Sequence, residues 1–137
     1  MRQRLLLIIV FLLMNSMLQA QDLKDFRWKN RILLIMEPEG DLTKGKDQIE
    51  LFSVYEQEMT ERDLIIFVYD GKTMRDKTMK KLSSNVQNIP YKNFQGLILI
   101  GKDGGVKFKE GFTIDPMLIF EIIDSMPMRQ SEIKNTP

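Results

Sequence analysis

Three short, uninterrupted apolar runs constrain the fold of this chain more than any other feature. They are RILLIM (31–36), LIIFVY (64–69) and LILI (97–100). Runs of this length that do not alternate with polar residues are typical of strands buried on both faces. The sequence therefore predicts a sheet that lies inside the molecule and is covered by helices.

Helical spacing of apolar residues fills the intervals between these runs. It predicts a first helix that starts at Asp47, which forms a capping box with Glu50 three residues later. A second helix is predicted over 73–87. The last helix has Asp115 as its N-cap, followed by proline at the first helical position. Pro127 ends this helix, and a polar tail follows.

The segment GKDGG (101–105) reads as a turn, since Asp-Gly-Gly supplies the positive-φ positions that a hairpin needs. Residues 106–109 alternate like a half-exposed edge strand, so a phosphate-binding loop, which needs a following helix, is disfavoured. The order β-α-β-α-β-β-α predicts an α/β thioredoxin-like three-layer sandwich with a mixed sheet of about four strands, the first two parallel. A ferredoxin-like plait is the alternative, but the helix before the hairpin argues against it.

The first twenty residues have the three zones of a secretory signal peptide. Arg2 and Arg4 give a positive start, residues 5–14 are apolar, and the segment ends in the small residue Ala20. This apolar run is too short for a spanning helix, which needs about 20 residues. We expect cleavage after Ala20, periplasmic or extracellular export and no membrane span in the mature chain; an uncleaved anchor is the alternative. The predicted organisation is a signal peptide (1–20), one domain (21–133) and a polar tail (134–137).

The chain contains no cysteine and no histidine. In an exported protein the first absence removes disulfide bonds, so the fold must depend on its core. Together the two absences exclude thiol redox chemistry, Cys–His or Ser–His–Asp nucleophilic catalysis, and zinc sites built from Cys or His. An enzyme would have to work with Asp, Glu, Lys, Tyr, Ser or Thr.

Charge is nearly balanced, with 20 basic and 19 acidic residues. Loss of Arg2 and Arg4 with the signal peptide leaves 18 basic residues against 19 acidic ones, a net charge of −1. Such a chain has no long-range attraction to nucleic acid or to an anionic membrane. We therefore expect that nucleic acid is not a partner. No cofactor is assigned, and a protein or another envelope component is the expected partner.

Four stretches carry a resemblance to a known family: RWKNRILLIM (27–36), ERDL (61–64), LIGKDGGVK (99–107) and IDSMPMR (123–129). In this order and spacing they resemble the exported bacterial family catalogued as domain of unknown function 4174, over about residues 22–133. A similar domain occurs in animal extracellular-matrix proteins with sushi repeats. The resemblance implies a thioredoxin- or peroxiredoxin-like fold and supplies no mechanism. We call the following positions, expected to be structural or partner-binding, the signature residues: Arg27, Trp28, Arg31, Glu61, Arg62, Asp63, Lys102, Asp103, Gly104, Gly105, Lys107, Met126, Pro127, Met128 and Arg129.

The chain departs twice from redox-active thioredoxin-like proteins. Their nucleophilic cysteine follows the first strand, in the region equivalent to 37–46, where this chain has no thiol. Their cis-proline directly precedes the third strand, where this chain has Gln95 and Gly96, and Pro90 lies several residues too early. Both halves of the thiol site are missing, which implies a scaffold without redox function.

Glu37, Glu39 and Asp41 gather three carboxylates in that same loop. Oxygen ligands of this kind suit Ca²⁺ or Mg²⁺. Their spacing matches no known calcium loop, and acidic residues near a helix N-terminus are favoured by the helix dipole. We therefore expect a structural loop and predict no metal site.

Trp28 is expected to pack over the end of the core with its ring N–H bonded, because this is the common position of a lone tryptophan; an exposed contact is the alternative. Glu61, Arg62, Asp63 and Arg129 are expected to form ion pairs where the second strand begins and the last helix ends.

Met126 and Met128 are expected in the core, since a thioether copper site would need further ligands. Lys102, Lys107 and Lys109 can form a small basic patch for an acidic partner.

The leading hypothesis from sequence is a non-enzymatic, exported binding module. The alternative is a carboxylate- or lysine-dependent enzyme, hydrolase-like, that uses the 37–41 loop. No catalytic residue is assigned.

Overall fold

The computed structural model describes residues 1–4, 22–83 and 88–137. The predicted signal peptide therefore lies outside the described chain from its fifth residue onward. In chain order the elements are a 3-10 helix (Leu23–Phe26), β1 (Arg31–Met36), α1 (Thr43–Ser53), α2 (Glu56–Glu61), β2 (Leu64–Tyr69), β3 (Met74–Asp76), β4 (Lys81–Ser83), β5 (Gly96–Ile100), β6 (Val106–Glu110), α3 (Pro116–Asp124) and α4 (Pro127–Lys134).

Within residues 22–83 and 88–137, six strands form one mixed sheet in the order β4-β3-β2-β1-β5-β6. β1 and β2 are parallel, with Arg31 opposite Leu64, and every other neighbouring pair is antiparallel. The four strands predicted from sequence are β2, β1, β5 and β6, and their order and directions are those of the thioredoxin-like layout. The fold class is confirmed, although the sheet has six strands where about four were expected.

The sheet separates two apolar clusters. One contains Leu33 and Ile35 of β1 and packs against Phe52 of α1 and Phe120 of α3. The other contains Ile32, Leu34 and Met36 on the opposite face of the same strand. All six residues of β1 are buried, as expected for a strand covered on both sides. The second face is covered by the 3-10 helix and by loop residues such as Ile89 and Phe94, where a long helix was predicted.

The helix predicted over 73–87 is wrong. The described part of this segment forms β3 and β4, and residues 84–87 lie outside the described chain. Asp76 produces the turn between the strands, because its Oδ1 accepts bonds of 2.8 and 2.6 Å from the N–H and hydroxyl of Thr78 and one of 3.0 Å from the N–H of Lys80. Met79 has a φ of 70°, which an α-helix does not contain. The local hydrogen bonds of Asp76 thus override the helical spacing.

The first helix begins earlier than predicted. It starts at Thr43, whose N–H donates to Asp41 Oδ1 at 3.0 Å. The predicted N-cap, Asp47, lies inside the helix. The helical segment is also interrupted at Val54 and Tyr55, so that α1 and α2 are separate elements.

The predicted start of α3 is confirmed, because the Asp115 side chain accepts from the N–H of Met117 and Pro116 occupies the first turn. Pro127 behaves differently from the prediction of a polar tail. It stands at the start of α4, an eight-residue helix that runs to Lys134. A proline at the first helical position lacks only an N–H that would have no partner there, so it starts a helix readily.

None of the helices in the described residues combines the length and the apolar character that crossing a membrane requires.

Candidate functional site

One edge of the sheet holds most of the signature residues. β1 and β2 begin there, and β5 ends there, because Ile32 of β1 pairs with Ile100 of β5. The turn at 101–105 and the corner between α3 and α4 reach the same edge. The loop at 37–46 lies at the other end of β1, where Met36 pairs with Gly96. The signature residues and the expected position of a redox thiol are therefore at opposite ends of the sheet.

Arg31 is the buried centre of this edge. Its side chain is 1% exposed, and its two Nη atoms lie 3.1 and 3.2 Å from the carboxylate oxygens of Glu132 on α4. Its Nη1 also donates to the backbone oxygen of Arg62 at 2.8 Å. Its Nε, which is buried as well, has no hydrogen-bond partner among the described residues. Burial of a cation is costly unless it is paired, so Glu132 makes this position of Arg31 possible.

Asp124 at the end of α3 is the second acidic partner. Arg62 binds it through Nη2 and Nε, at 2.7 and 3.0 Å from its two oxygens. Arg129 Nε donates to Asp124 Oδ1 at 3.1 Å, and Arg129 Nη1 donates to the backbone oxygen of Glu61 at 2.8 Å. Partial burial would raise the pKa of Asp124, but the hydrogen bonds from Arg62 and Arg129 outweigh it and hold the pKa below its ordinary value.

Lys102, in the turn after β5, joins two carboxylates. Its Nζ lies 2.7 Å from Asp63 Oδ2 and 2.7 Å from Glu132 Oε1. Burial by itself lowers the pKa of Lys102, yet the bonds to Asp63 and Glu132 raise it above its ordinary value. Burial likewise raises the pKa of Glu132, and the bonds from Arg31 and Lys102 bring it below its ordinary value.

These side chains form one connected network with an unequal charge. Four cations, Arg31, Arg62, Lys102 and Arg129, share three carboxylates. One positive charge therefore has no counter-charge within the network. The carboxylates are Asp63, Asp124 and Glu132.

Arg62, Asp63 and Arg129 are thus in ion pairs at the place that the sequence indicated, whereas Glu61 takes part only through its backbone oxygen. Sequence reasoning missed Asp124 and Glu132, since neither follows a recognisable motif. The signal that was available is the excess of arginine and lysine among the signature residues, which requires acidic partners.

A cleft of about 330 Å³ opens beside this network. It lies between the turn at 101–105 and the start of α4. The lining residues are Arg31, Gly101, Lys102, Asp103, Lys107, Met126, Pro127 and Met128. Seven of these eight are signature residues, the exception being Gly101. The sequence motifs that are most separated along the chain therefore meet around one cavity.

The turn at 101–105 is held from two sides. Arg27 Nε donates to the backbone oxygen of Asp103 at 2.8 Å, and the Asp103 carboxylate binds Lys107 Nζ at 2.8 Å. Gly104 has a φ of 83°, and a Cβ there would lie 3.0 Å from Arg27 Nε. A side chain at Gly104 would be strained and would press on Arg27.

Trp28 does not pack over the core as expected, and the alternative of an exposed contact describes it better. Its side chain is 63% exposed. Its φ is 67°, and its backbone N–H donates to the oxygen of Lys102 at 2.7 Å. The reason is local: the left-handed turn fixes the backbone of Trp28 against Lys102 and directs its side chain outward. Met126 is half-buried against the core, whereas Met128 is 39% exposed, contrary to the core position expected for it.

The acidic loop at the opposite end does not gather its carboxylates. Glu37 is 1% exposed, and its Oε1 accepts from the N–H of Gly45 at 2.9 Å in the first turns of α1. Asp41 is directed to Thr43, and hydrogen bonds from the side chain and the backbone N–H of Thr43 hold the pKa of Asp41 below its ordinary value. Glu39 is exposed. In the part of the chain that the structure describes, no group of three or more acidic side chains could hold a metal ion.

Gln95, placed where a redox protein has its cis-proline, is exposed. The junction after β1 is therefore occupied by the side chain of Glu37, which binds the helix that follows.

The chain matches the model of a family described as "Domain of unknown function (DUF4174)" over residues 22–132. The chain belongs to this family. The resemblance drawn from the four motifs is thereby confirmed. No curated protein matches the chain in sequence.

Among solved structures, the chain is similar to the reduced 2-Cys peroxiredoxin of Plasmodium vivax. The two are 14% identical, the match covers 80% of this chain and 72% of that chain, and the TM-score is 0.49.

Proposed function

We propose that this DUF4174 domain is an exported, non-enzymatic binding module that contacts a protein partner through the edge of the sheet bearing the signature residues. The observation that carries the proposal is the gathering of seven signature residues around one cleft. The junction at the other end of β1 is filled by Glu37, so this edge is the more suitable surface for recognition.

The protonation behaviour of the network supports binding rather than catalysis. A general acid or base works best when its pKa lies near the operating pH. Here the pKa values of Asp124 and Glu132 are lowered and that of Lys102 is raised, which moves all three away from neutrality. These groups stay charged at physiological pH and serve to fix structure and present charge.

The exposed side chains around the cleft support a protein partner. Trp28 is 63% exposed and Met128 is 39% exposed, and Arg27 lies beside the turn that lines the cleft. Tryptophan, methionine and arginine are enriched where proteins meet, because they combine large apolar area with directional bonding. An exposed tryptophan within a basic edge has no role in the packing of the core.

Site-specific crosslinking tests the proposal. A photoreactive phenylalanine derivative is placed at position 28, at the proposed surface, and in a second variant at position 54. Val54 is 77% exposed and lies between α1 and α2, away from the edge of the sheet that holds the signature residues. We expect one discrete protein adduct, the same in repeated experiments in the native host, from position 28 and none from position 54.

Equal adducts from both positions, or none from position 28 in the presence of the native envelope, would contradict the proposed surface. Recovery of the protein from the cell interior instead of the envelope would contradict export.

A further inference from the structure

We infer that the cleft beside the turn at 101–105 binds a carboxylate of the partner, presented next to an apolar side chain, as at the C-terminal residue of a peptide. This inference rests on the proposed function, since it names the chemical group that the binding module recognises.

The lining of the cleft favours an anion. Three of its eight residues are cationic, Arg31, Lys102 and Lys107, and one is acidic, Asp103. The ion-pair network to which Arg31 and Lys102 belong has one cation more than it has carboxylates. A single carboxylate would balance this excess, and charge-assisted hydrogen bonds are the stronger kind.

Arg31 supplies a separate observation. It lines the cleft while being 1% exposed, and in the part of the chain that the structure describes its Nε has no hydrogen-bond partner. Buried donors without a partner are rare, because leaving one unsatisfied costs the free energy of its lost hydration. An acceptor group in the cleft would place negative charge beside this guanidinium.

The N-terminus of α4 contributes hydrogen-bond donors to the lining of the cleft. Met126 is the N-cap residue in an extended conformation and provides no side-chain cap, and Pro127 follows at the start of the helix. The first N–H groups of a helix have no intrahelical partner, and the helix dipole favours negative charge there. The N–H of Met128 belongs to this first turn, which no side chain caps, and Met128 is one of the residues that line the cleft.

The apolar part of the lining indicates what accompanies the carboxylate. Met126, Pro127 and Met128 supply the apolar part of the lining. Methionine adapts its shape to different apolar groups. A volume of about 330 Å³ accommodates a group of the size of a residue. A bare phosphate or sulfate would fill only part of it. An anion joined to an aliphatic side chain matches both the charged and the apolar residues of the lining.

Lys107 is the cation free to change partner. Its present ion pair with Asp103 is exposed, with 36% and 42% of the two side chains accessible, and exposed pairs of this kind contribute little to stability. Lys102, in contrast, is 11% exposed and binds two carboxylates. Lys107 therefore turns to the ligand while Lys102 stays in the network.

The test is a titration of the purified protein followed by backbone amide NMR. N-acetyl-leucine carries a carboxylate and an aliphatic side chain, N-acetyl-leucinamide is the uncharged match, and inorganic phosphate is the anion without an apolar part. We expect N-acetyl-leucine to shift the amides of Met128, Arg129 and the turn at 101–105, and neither of the other compounds to do so at equal concentration.

Two variants complete the experiment. Lys107→Met removes the exchangeable cation, and we expect about tenfold weaker binding of N-acetyl-leucine, as for the loss of one charge-assisted hydrogen bond. Lys109→Met is the matched control on the same strand, because Lys109 lies over the rings of Tyr91 and Phe94 and does not line the cleft. Unshifted resonances of the β1 amides show that each variant is folded.

Equal shifts from the acid and the amide, equal binding of phosphate, or equal weakening by the two variants would each overturn the inference. A discrete crosslink from position 28 together with no binding of N-acetyl-leucine would overturn the carboxylate site and leave the binding module standing. Binding of N-acetyl-leucine without any crosslink from position 28 would support the carboxylate site and contradict the proposed protein-binding surface.

Discussion

Arg31 at the start of β1 and Glu132 in α4 form a two-point ion pair, with Nη1–Oε2 and Nη2–Oε1 distances of 3.1 and 3.2 Å. The two residues are 101 positions apart in the chain. Since Arg31 is almost fully buried, this pair fastens the first strand to the last helix and determines the shape of the edge that carries the signature residues.

The first prediction concerns this pair. Glu132→Gln keeps the size of the side chain and removes its charge, so Arg31 is left buried without its main counter-charge. We expect a loss of about 3 kcal/mol in the free energy of unfolding, as when one partner of a buried ion pair is removed. Urea unfolding measures it. Glu121→Gln, on the exposed face of α3, is the control and should change stability by less than about 0.5 kcal/mol. Similar effects of the two changes would contradict the role of Glu132.

The second prediction is the pH dependence of stability. The pKa values of Asp124 and Glu132 are lowered in the folded protein from ordinary values of 3.8 and 4.5. A lowered carboxyl pKa contributes stability that is fully present above the unfolded pKa and is lost as pH falls through the folded pKa. We expect the urea midpoint to be constant from pH 7 to about pH 5 and to decrease below that. In Glu132→Gln the decrease should be smaller, because one of the carboxyl groups whose pKa is lowered in the folded protein is gone; an unchanged acid profile would argue against the assignment.

The third prediction concerns Gln48, which is fully buried in α1. Its Nε2 donates to the oxygen of Ile114 at 2.8 Å, and the N–H of Ile114 donates to its Oε1 at 2.9 Å. Gln48→Leu would leave both backbone groups of Ile114 unsatisfied, so we expect destabilisation of about 2–4 kcal/mol. Thermal unfolding measures the change. Gln57→Leu removes an exposed side-chain hydrogen bond to Glu61 and should leave the stability nearly unchanged in the same measurement. A neutral Gln48→Leu variant would show that Ile114 finds other partners.

The fourth prediction separates structure from catalysis in the acidic loop. Glu37→Leu removes the acceptor for the Gly45 N–H and should lower the melting temperature, whereas Glu37→Gln keeps an acceptor oxygen and should lower it much less. Glu39→Leu serves as the exposed control from the same loop. If Glu37→Leu melted like the native protein, the loop would be available for chemistry and the enzyme alternative would gain support.

The fifth prediction uses the single tryptophan of the chain. Because Trp28 is 63% exposed and flanked by Arg27 and Lys29, its fluorescence should resemble that of the unfolded protein in emission wavelength. Iodide should quench it more strongly than caesium, since the surrounding cations attract the anion. A blue-shifted emission with weak quenching by both ions would place Trp28 in the core instead.

The sequence was informative where one local pattern had one structural outcome. Apart from Arg31, the runs that became β1, β2 and β5 contain no charged residue and no alternating polar positions, so a strand buried on both faces is the consistent solution. The N-cap at Asp115 was likewise predictable, because aspartate followed by proline satisfies the first turn by itself.

Predictions were wrong where two local patterns competed. In the segment after β2, Met79 and Leu82 have helical spacing, but Asp76 binds the backbone of Thr78 and Lys80 and forms a turn instead. The Asp-Lys-Thr sequence was the available signal, since aspartate often bonds to the backbone two residues on.

Only part of the candidate site could be predicted from the sequence. The cationic signature residues were identified through a family resemblance, whereas their partners Asp124 and Glu132 could not be, because exposed acidic residues on a helix look alike until the fold brings one beside a buried arginine. The cleft itself depends on the meeting of β1, the turn at 101–105 and α4, which no single stretch encodes.

The long separation between Arg31 and Glu132 has a consequence for the timing of synthesis. The ribosome makes Arg31 about a hundred residues before the carboxylate that neutralises it. Until then β1 carries an unpaired cation at a position that the completed sheet buries, and the penalty for burying it opposes early docking of the strand. Docking of β1 is therefore disfavoured in a nascent chain that lacks α4, and it becomes favourable once this helix has been made and Glu132 can pair with Arg31.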